Sequence, residues 1–231
     1  MPRTDLQTRH NALSASPVFQ ALGAAERDIV LRHATERRFA RGATIFQKDE
    51  RGSALMAVLR GRVRISTVSP AGRELTLNVI DAGGIFGEIA LLDGEPRSAD
   101  ATALEETLLL VVERRHFAPL IAANPDLAAR LLRILCQRLR RTSRTLEEVA
   151  LLDLPERLAR TLLQLSEEYG QRVGEGVRLD IRLSQRELSA LVGASRESVN
   201  KQLALWRASG VVALERGRIV LRRPELMARA G

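Results

Sequence analysis

The chain has 231 residues, of which 45% are apolar and 28% charged, the balance of a globular protein with a real core and not of a disordered one. No apolar run reaches the roughly 18 residues of a membrane span, and Met1-Pro2-Arg3-Thr4-Asp5 lacks the apolar core of a signal peptide, so a cytoplasmic protein without a membrane partner is expected. Lys and Arg number 36 against 28 Asp and Glu, a net charge of +8, and the single Cys136 excludes an internal disulfide or a cysteine-ligated metal site built within the chain.

Residues 6–34 read as short amphipathic helices, with Val18, Phe19 and Leu22 and then Ile29, Val30 and His33 at helical spacing. From about residue 36 to 112 the pattern becomes short β segments punctuated by glycines. Val63 and Ile65 alternate with Arg62 and Arg64, and Leu75, Leu77 and Val79 alternate with Glu74, Thr76 and Asn78. Strands this short and evenly spaced predict a compact antiparallel barrel or roll.

One stretch breaks the alternation: Phe86-Gly87-Glu88-Ile89-Ala90-Leu91-Leu92. It reads as a single helical turn entered through Gly87, which leaves the backbone N–H groups around Glu88, Ile89 and Ala90 free to meet an anion. The turn Asp93-Gly94-Glu95-Pro96 then brings back Arg97 and Ser98, a guanidinium and a hydroxyl suited to a phosphate. A carboxylate beside a phosphate is repelled, so Glu88 is expected to accept from a sugar hydroxyl while pairing with an arginine. Together these groups describe a nucleotide with one phosphate and a free ribose hydroxyl; a glycine turn with a surface salt bridge is the plainer alternative.

A long helix is predicted from about Pro125 to Leu152. Ala128, Leu132, Leu135, Leu139, Thr142, Leu146 and Val149 follow alternating spacings of four and three, a heptad seam that implies a parallel two-stranded coiled coil between identical subunits. Thr142 is the polar exception, with Ser143 beside it. Cys136, next to the seam, is expected to be a small buried apolar residue.

Pro155 fits the first turn of a new helix over 156–168, and the polar segment 169–176 reads as a loop. Ser184-Gln185-Arg186-Glu187 has the spacing of a capping box ahead of Leu188, Leu191 and Val192. Gly193-Ala194 turns the chain, and Ser195 caps a second helix with Val199, Leu203 and Trp206 facing inward. Arg196 with Asn200, and Glu197 with Lys201, stand four apart on its outer face. Val211–Leu214 and Arg218–Leu221 flank Arg216-Gly217 as a hairpin wing. This is the pattern of a helix-turn-helix that enters a major groove. Charge agrees: residues 155–231 hold 14 basic and 9 acidic side chains, a net of +5, against +3 over residues 1–154, so the partner expected there is double-stranded DNA.

Three of these segments resemble the CRP/FNR transcription regulators, on their cyclic AMP receptor branch, and the resemblance covers nearly the whole chain. Phe86-Gly87-Glu88 through Arg97-Ser98 is similar to the family's phosphate-binding cassette. Arg138-Leu139-Arg140-Arg141-Thr142-Ser143 with Leu152-Asp153-Leu154 is similar to its dimerisation helix and hinge, and Ser195-Arg196-Glu197-Ser198-Val199-Asn200-Lys201 to its recognition helix. The resemblance implies an α+β chain: an antiparallel β-roll that binds a cyclic nucleotide over 1–124, a long dimerisation helix and hinge over 125–154, and a C-terminal winged helix-turn-helix over 155–231. It implies that Gly87, Glu88, Ile89 and Ala90 line the ligand, with Glu88 on the ribose 2′-hydroxyl, Arg97 and Ser98 on the cyclic phosphate, and Arg138 on the Glu88 side. Thr142 would touch the base in its own subunit and Ser143 the base held by the partner. Ser184, Gln185, Ser195, Arg196, Glu197, Asn200, Lys201, Arg216 and Arg218 would face DNA.

Lys201 departs from the family's usual arginine, so a bidentate guanine contact is lost there, and Asn200 stands where glycine is usual. The effector implied is cyclic AMP; cyclic GMP is the alternative, because hydroxyls at Thr142 and Ser143 donate and accept equally. RNA polymerase is an implied partner, through the segment 169–176. No Walker motif, metal-binding cluster or nucleophile with its base appears, and His10, His33 and His116 show no ligand spacing, so neither an enzyme nor a metal is expected.

Overall fold

The computed structural model describes residues 18–181, 183–215 and 217–223; the first part of the helical stretch expected over 6–34 and the wing residue Arg216 lie outside them. Two compact units are present, one built on the chain up to Thr67 and on Leu77–Arg141, the other on Val68–Thr76 and the chain from Thr142 onward.

In the first unit a 3₁₀ turn (Phe19–Ala21) and helix α1 (Ala24–His33) precede strands β1 (Thr35–Phe39), β2 (Thr44–Phe46), β3 (Ala54–Arg60), β4 (Val63–Val68), β5 (Glu74–Ile80) and β6 (Ile85–Phe86). Helix α2 (Glu88–Asp93) comes next, then β7 (Asp100–Ala103), β8 (Thr107–Glu113), α3 (Arg114–Ala123) and the long α4 (Pro125–Leu151). The strands make two four-stranded sheets, ordered β1-β8-β3-β6 and β2-β7-β4-β5. Pairing is antiparallel for β8 with β1 and β3, β3 with β6, and β7 with β2 and β4, which is the roll that short, evenly spaced strands predict.

Strand alternation divides the apolar residues of the first sheet between two cores. Leu55, Ala57, Ile85, Leu110 and Val112 face helices, where they meet Phe19, Val30, Phe117, Leu127 and Leu131. Met56, Val58, Phe86 and Leu109 face the second sheet, where they meet Ile45, Phe46, Val63 and Ala101. Both faces of β3 are therefore dry, so its sequence is a nearly unbroken apolar run with no visible alternation. The reverse holds in β4 and β5. Their sequences alternate, yet Arg64 and Thr76 are buried while Leu75, Leu77 and Val79 are only half-buried.

Helix α4 carries two apolar stripes. Leu127 and Leu131, with Ile134 partly buried, pack onto the helix-side core. The heptad seam points elsewhere: Leu132 is 61% exposed, Leu139 68% and Leu146 67%. Cys136 is exposed too, which corrects the expectation of a buried thiol. Its place flanking the seam, away from the Leu127 and Leu131 stripe, is the reason.

In the second unit helix α5 (Leu154–Tyr169) begins on the N-cap Asp153, whose side chain accepts from the Glu156 amide while Glu156 reaches back to the Asp153 amide. The segment read as a loop over 169–176 is instead a hairpin, β9 (Gly170–Val173) with β10 (Gly176–Leu179), joined at Gly174, φ 60°. Every residue of β9 is exposed, so this edge strand carries no alternation for the sequence to display. Gly170 is obligatory, since a Cβ there would lie 2.0 Å from the Ser166 carbonyl oxygen. Helices α6 (Gln185–Val192) and α7 (Arg196–Ala208) turn at Gly193, φ 64°, and strands β11 (Val212–Glu215) and β12 (Arg218–Leu221) close a sheet ordered β11-β12-β10-β9. Leu158, Leu162, Leu188, Val192, Val199 and Leu221 form the core beneath.

Leu110→Ala, which opens a cavity in the helix-side core, should lower unfolding stability by roughly 3 kcal/mol in urea titration. Leu139→Ala should leave the far-ultraviolet dichroism unchanged and shift sedimentation toward the smaller species.

Candidate functional site

The geometry centres on α2 and on Arg97. Gly87 takes φ 77° as the N-cap of α2, and a Cβ on it would lie 2.7 Å from Arg97 Nη1 and 3.0 Å from the Ala54 carbonyl oxygen. Only glycine meets both the left-handed backbone and the close approach. Gly94, φ 80°, ends the turn with its amide donating to the Ala90 carbonyl. Glu88 is fully buried and Ala90 buried, while Ile89 is 37% exposed.

Burying a carboxylate demands a partner. Glu88 Oε1 accepts from Arg138 Nη1 of α4, whose Nη2 donates to the Ile85 carbonyl; Glu88 Oε2 is buried with no hydrogen-bond partner. The arginine partner expected for Glu88 is thus Arg138.

Arg97 is buried and its guanidinium donates from Nη1 to the Gly87 carbonyl at 2.9 Å and from Nη2 to the Ala54 carbonyl at 3.1 Å. It lies 4.3 Å over the Phe46 ring. Burial pushes its pKa below the ordinary arginine value, opposed by the carboxylates of Glu88 and Glu50. Two of its five N–H groups serve those carbonyls. Ser98 beside it is exposed. The site therefore offers a bare carboxylate oxygen for a hydroxyl donor and a held guanidinium for an anion.

Sequence reasoning missed the residues that hold Arg97. A Cβ on Gly52 would lie 2.1 Å from Arg97 Nε, so Gly52 makes room for the side chain. Phe46 and the Ala54 carbonyl come from strands more than 40 residues away, with no local signal to mark them. Thr142 and Ser143 follow Arg138 in α4 and both are exposed.

His33 and His116, which share no spacing, stack with ring centroids 4.0 Å apart and 2° between planes. Arg115 Nε donates to His116 Nε2, and burial, His33 and Arg115 together lower the His116 pKa against Glu113. Parallel rings aim their lone pairs in separate planes and do not converge on one metal ion. Among the described residues no three His, Cys, Asp or Glu side chains gather as a metal site.

The second candidate surface lies on α6 and α7. Ser184 Oγ accepts from the Glu187 amide at 3.1 Å and Glu187 Oε2 from the Ser184 amide at 2.6 Å, the capping box as expected. Ser195 caps α7 through the Ser198 amide at 3.1 Å. Val199 and Leu203 are buried and Trp206 partly so, which leaves Arg196, Glu197 and Lys201 exposed on the outer face. Two expected contact residues are engaged within the protein. Asn200 donates to Gln185 Oε1 at 2.9 Å, tying the second helix to the start of the first. Arg218 is paired with Asp180, so it is not a free basic tip of the hairpin. Arg157 of α5 donates from Nη1 to the Leu152 carbonyl at 2.7 Å and from Nε to the Val192 carbonyl at 3.0 Å, fastening the end of α4 to the end of α6.

Residues 36–124 match the model of the cyclic nucleotide-binding domain and residues 156–230 that of the Crp-like helix-turn-helix domain. The chain is 37% identical over 191 residues to the CRP-like cAMP-activated global transcriptional regulator of Mycobacterium tuberculosis, a match covering 83% of this chain and 85% of that one. It is 35% identical over 215 residues to the cyclic AMP receptor protein of Thermus thermophilus, covering 93% and 96%. Among solved structures, the c-di-GMP responsive global regulator CLP of Xanthomonas campestris superposes with a TM-score of 0.77 at 26% identity, over 86% of this chain and 99% of that one.

Removing Arg138 leaves the Glu88 carboxylate buried and unpaired. Arg138→Ala should therefore cost about 3 kcal/mol or more in unfolding stability, and Glu88→Gln in the same chain should return part of that loss, a coupling read by a double-mutant cycle.

Proposed function

The chain belongs to the CRP/FNR family of cyclic nucleotide-responsive, DNA-binding transcription regulators, and from that premise we propose that cyclic AMP is its effector and that it acts as a homodimer on an inverted-repeat operator. The observation that carries the reading is Glu88: one carboxylate oxygen is held by Arg138 and the other is buried with no partner. That oxygen accepts from the ribose 2′-hydroxyl, while Arg97, Ser98 and the amides at the start of α2 donate to the cyclic phosphate. Thr142, one turn beyond Arg138, reaches the base in its own subunit and Ser143 the base held by the partner. The cassette supplies one buried guanidinium, which favours a ligand with one phosphate over the c-di-GMP to which CLP responds.

On the DNA side, Ser184 and Ser195 cap helices whose starts face the phosphates, Arg196 reads a guanine, Glu197 accepts from a cytosine amine and Lys201 reaches guanine O6 or N7 as a single donor. Gln185 and Asn200, bonded to each other, present one shared amide surface, and Arg216 and Arg218 belong to the wing. The chain divides by role at 1–124, 125–154 and 155–231.

Arg138 fixes the filled cassette to α4. The exposed Leu132, Leu139 and Leu146 seam then zips toward Leu152, and Arg157 hands that end of the helix to α6. Two recognition helices are thereby set one DNA turn apart, about 34 Å. Such gating requires the ligand to bind the DNA-competent form more tightly. No described helix is long and apolar enough to cross a membrane, and a cytoplasmic regulator that meets RNA polymerase through the β9–β10 hairpin, without catalysing turnover, completes the reading.

Calorimetry with cyclic AMP, cyclic GMP and c-di-GMP tests the effector, with tightest binding expected for cyclic AMP. Arg97→Ala should weaken cyclic AMP binding about 10- to 100-fold, the worth of a charge-assisted hydrogen bond, and abolish ligand-dependent gel shift. A variant that still responds like the parent overturns the assignment. Arg196→Ala should cost about 1–3 kcal/mol per half-site and relax selection at one base pair, with cyclic AMP affinity unchanged.

A further inference from the structure

The chain that joins β2 to β3, residues 47–53, is bound to Arg97 through its backbone. The Asp49 amide donates to the Arg97 carbonyl at 2.9 Å and the Arg97 amide donates to the Glu50 carbonyl at 2.8 Å. Two loop residues thus oppose one, as in a β-bulge, a device that re-aims a side chain. Asp49, φ 68°, is among the described residues the one non-glycine with a left-handed backbone, a conformation that Asp tolerates better than most residues. The Lys48 amide donates to Asp100 Oδ1 at 2.8 Å, which ties the same loop to β7. Backbone bonds, and not an ion pair, therefore set Glu50 beside Arg97.

Lys48, Asp49, Glu50 and Arg51 are the charged residues of this loop, and they sum to zero. Glu50 is the one whose charge acts on the Arg97 guanidinium, where it joins Glu88 in raising the pKa against the lowering by burial. The two carboxylates stand in opposite settings. Glu88 is buried and its charge is answered by Arg138. Glu50 is exposed, and among the described residues no ion pair or side-chain hydrogen bond takes up its carboxylate. A phosphate that reaches Arg97 meets this charge as well as the guanidinium. The repulsion scales with the charge the ligand brings. A cyclic phosphodiester brings one negative charge, whereas a terminal phosphomonoester brings nearly two above its second pKa of about 6.

We propose that Glu50 is a specificity-determining residue of the cassette, whose uncompensated charge favours a monoanionic cyclic nucleotide over a dianionic nucleoside monophosphate. The inference rests on the cyclic AMP reading of this site and adds to it a reason why the linear nucleotide with the same base and sugar is refused. Arg97 alone attracts the dianion more strongly than the monoanion, so a single guanidinium selects in the wrong direction. A carboxylate placed beside it, where solvent keeps the coupling modest, reverses that bias without closing the site to one negative charge.

Calorimetry on the full-length protein at low salt and mildly alkaline pH tests this with cyclic AMP, adenosine 5′-monophosphate and the methyl ester of the latter, which is linear but monoanionic. Glu50→Gln should tighten cyclic AMP about two- to fivefold, the worth of one exposed charge pair, and the 5′-monophosphate by about the square of that factor. The methyl ester should follow cyclic AMP, which separates charge from ring shape. Glu50→Asp should keep the discrimination of the parent, and high salt should shrink every difference. Equal gains for the three ligands, gains that survive high salt, or a 5′-monophosphate that Glu50→Gln binds no better than the parent does, overturn the inference. In those cases the parent still binds cyclic AMP and the effector assignment stands. A parent that does not bind cyclic AMP overturns both, so the two failures are told apart.

Discussion

A buried carboxylate cannot be left alone, and the first unit is organised around meeting that constraint. Glu88 enters the interior because Gly87 turns the chain in a left-handed conformation and α2 carries the side chain inward. Its charge is answered by Arg138, fifty residues later, and the same guanidinium takes up the Ile85 carbonyl just before α2. The cassette and the long helix are consequently joined by charge and not only by apolar contact. Breaking such a pair from one side strands a charge in a low-dielectric interior, which is far more costly than the net worth of the pair itself.

Arg97 obeys the same logic with the opposite sign. Its stem is accommodated by the bare backbone of Gly52 and Gly87, its face lies on Phe46, and two of its donors are fixed by main-chain carbonyls. A guanidinium held in this way has already lost the rotamer freedom that phosphate binding would otherwise cost. The second unit relies on backbone capping instead. Asp153 with Glu156, and Ser184 with Glu187, fix where two helices begin, and Arg157 fastens the first of them to the end of α6.

What the sequence made legible follows from how local each determinant is. The Gly87 turn, the Ser184 capping box, the heptad spacing and the hairpin at Gly217 each lie within a few residues, and each was readable. The roll was readable in class from the spacing of its strands, but the burial of Arg64 and Thr76 was not, because alternation along a strand does not say which of its faces is covered. Residues 169–176 passed for a loop because an edge strand with every β9 side chain in water has no periodicity. The engagement of Asn200 with Gln185, of Arg218 with Asp180 and of His33 with His116 needs partners 15, 38 and 83 positions away, distances at which no spacing rule operates.

The two oxygens of Glu88 also suggest how a small ligand can govern a large assembly. With Oε1 satisfied by α4 and Oε2 buried without a partner, the closed cassette carries an unmet desolvation cost of about 1–3 kcal/mol. A hydroxyl that donates to Oε2 removes that cost only where Arg138 already holds Oε1, since a carboxylate released from Arg138 could turn to water. If the ligand's hydroxyl takes Oε2 as proposed, ligand binding and the α4 contact stabilise each other through a single side chain. At about 1.4 kcal/mol per factor of ten, that range corresponds to roughly a five- to 150-fold shift toward the conformation in which cassette and helix are joined. In the proposed dimer, two such cassettes coupled through the exposed leucine seam would multiply the shift, so that a marginal bias at one buried oxygen would bear on the spacing of two recognition helices.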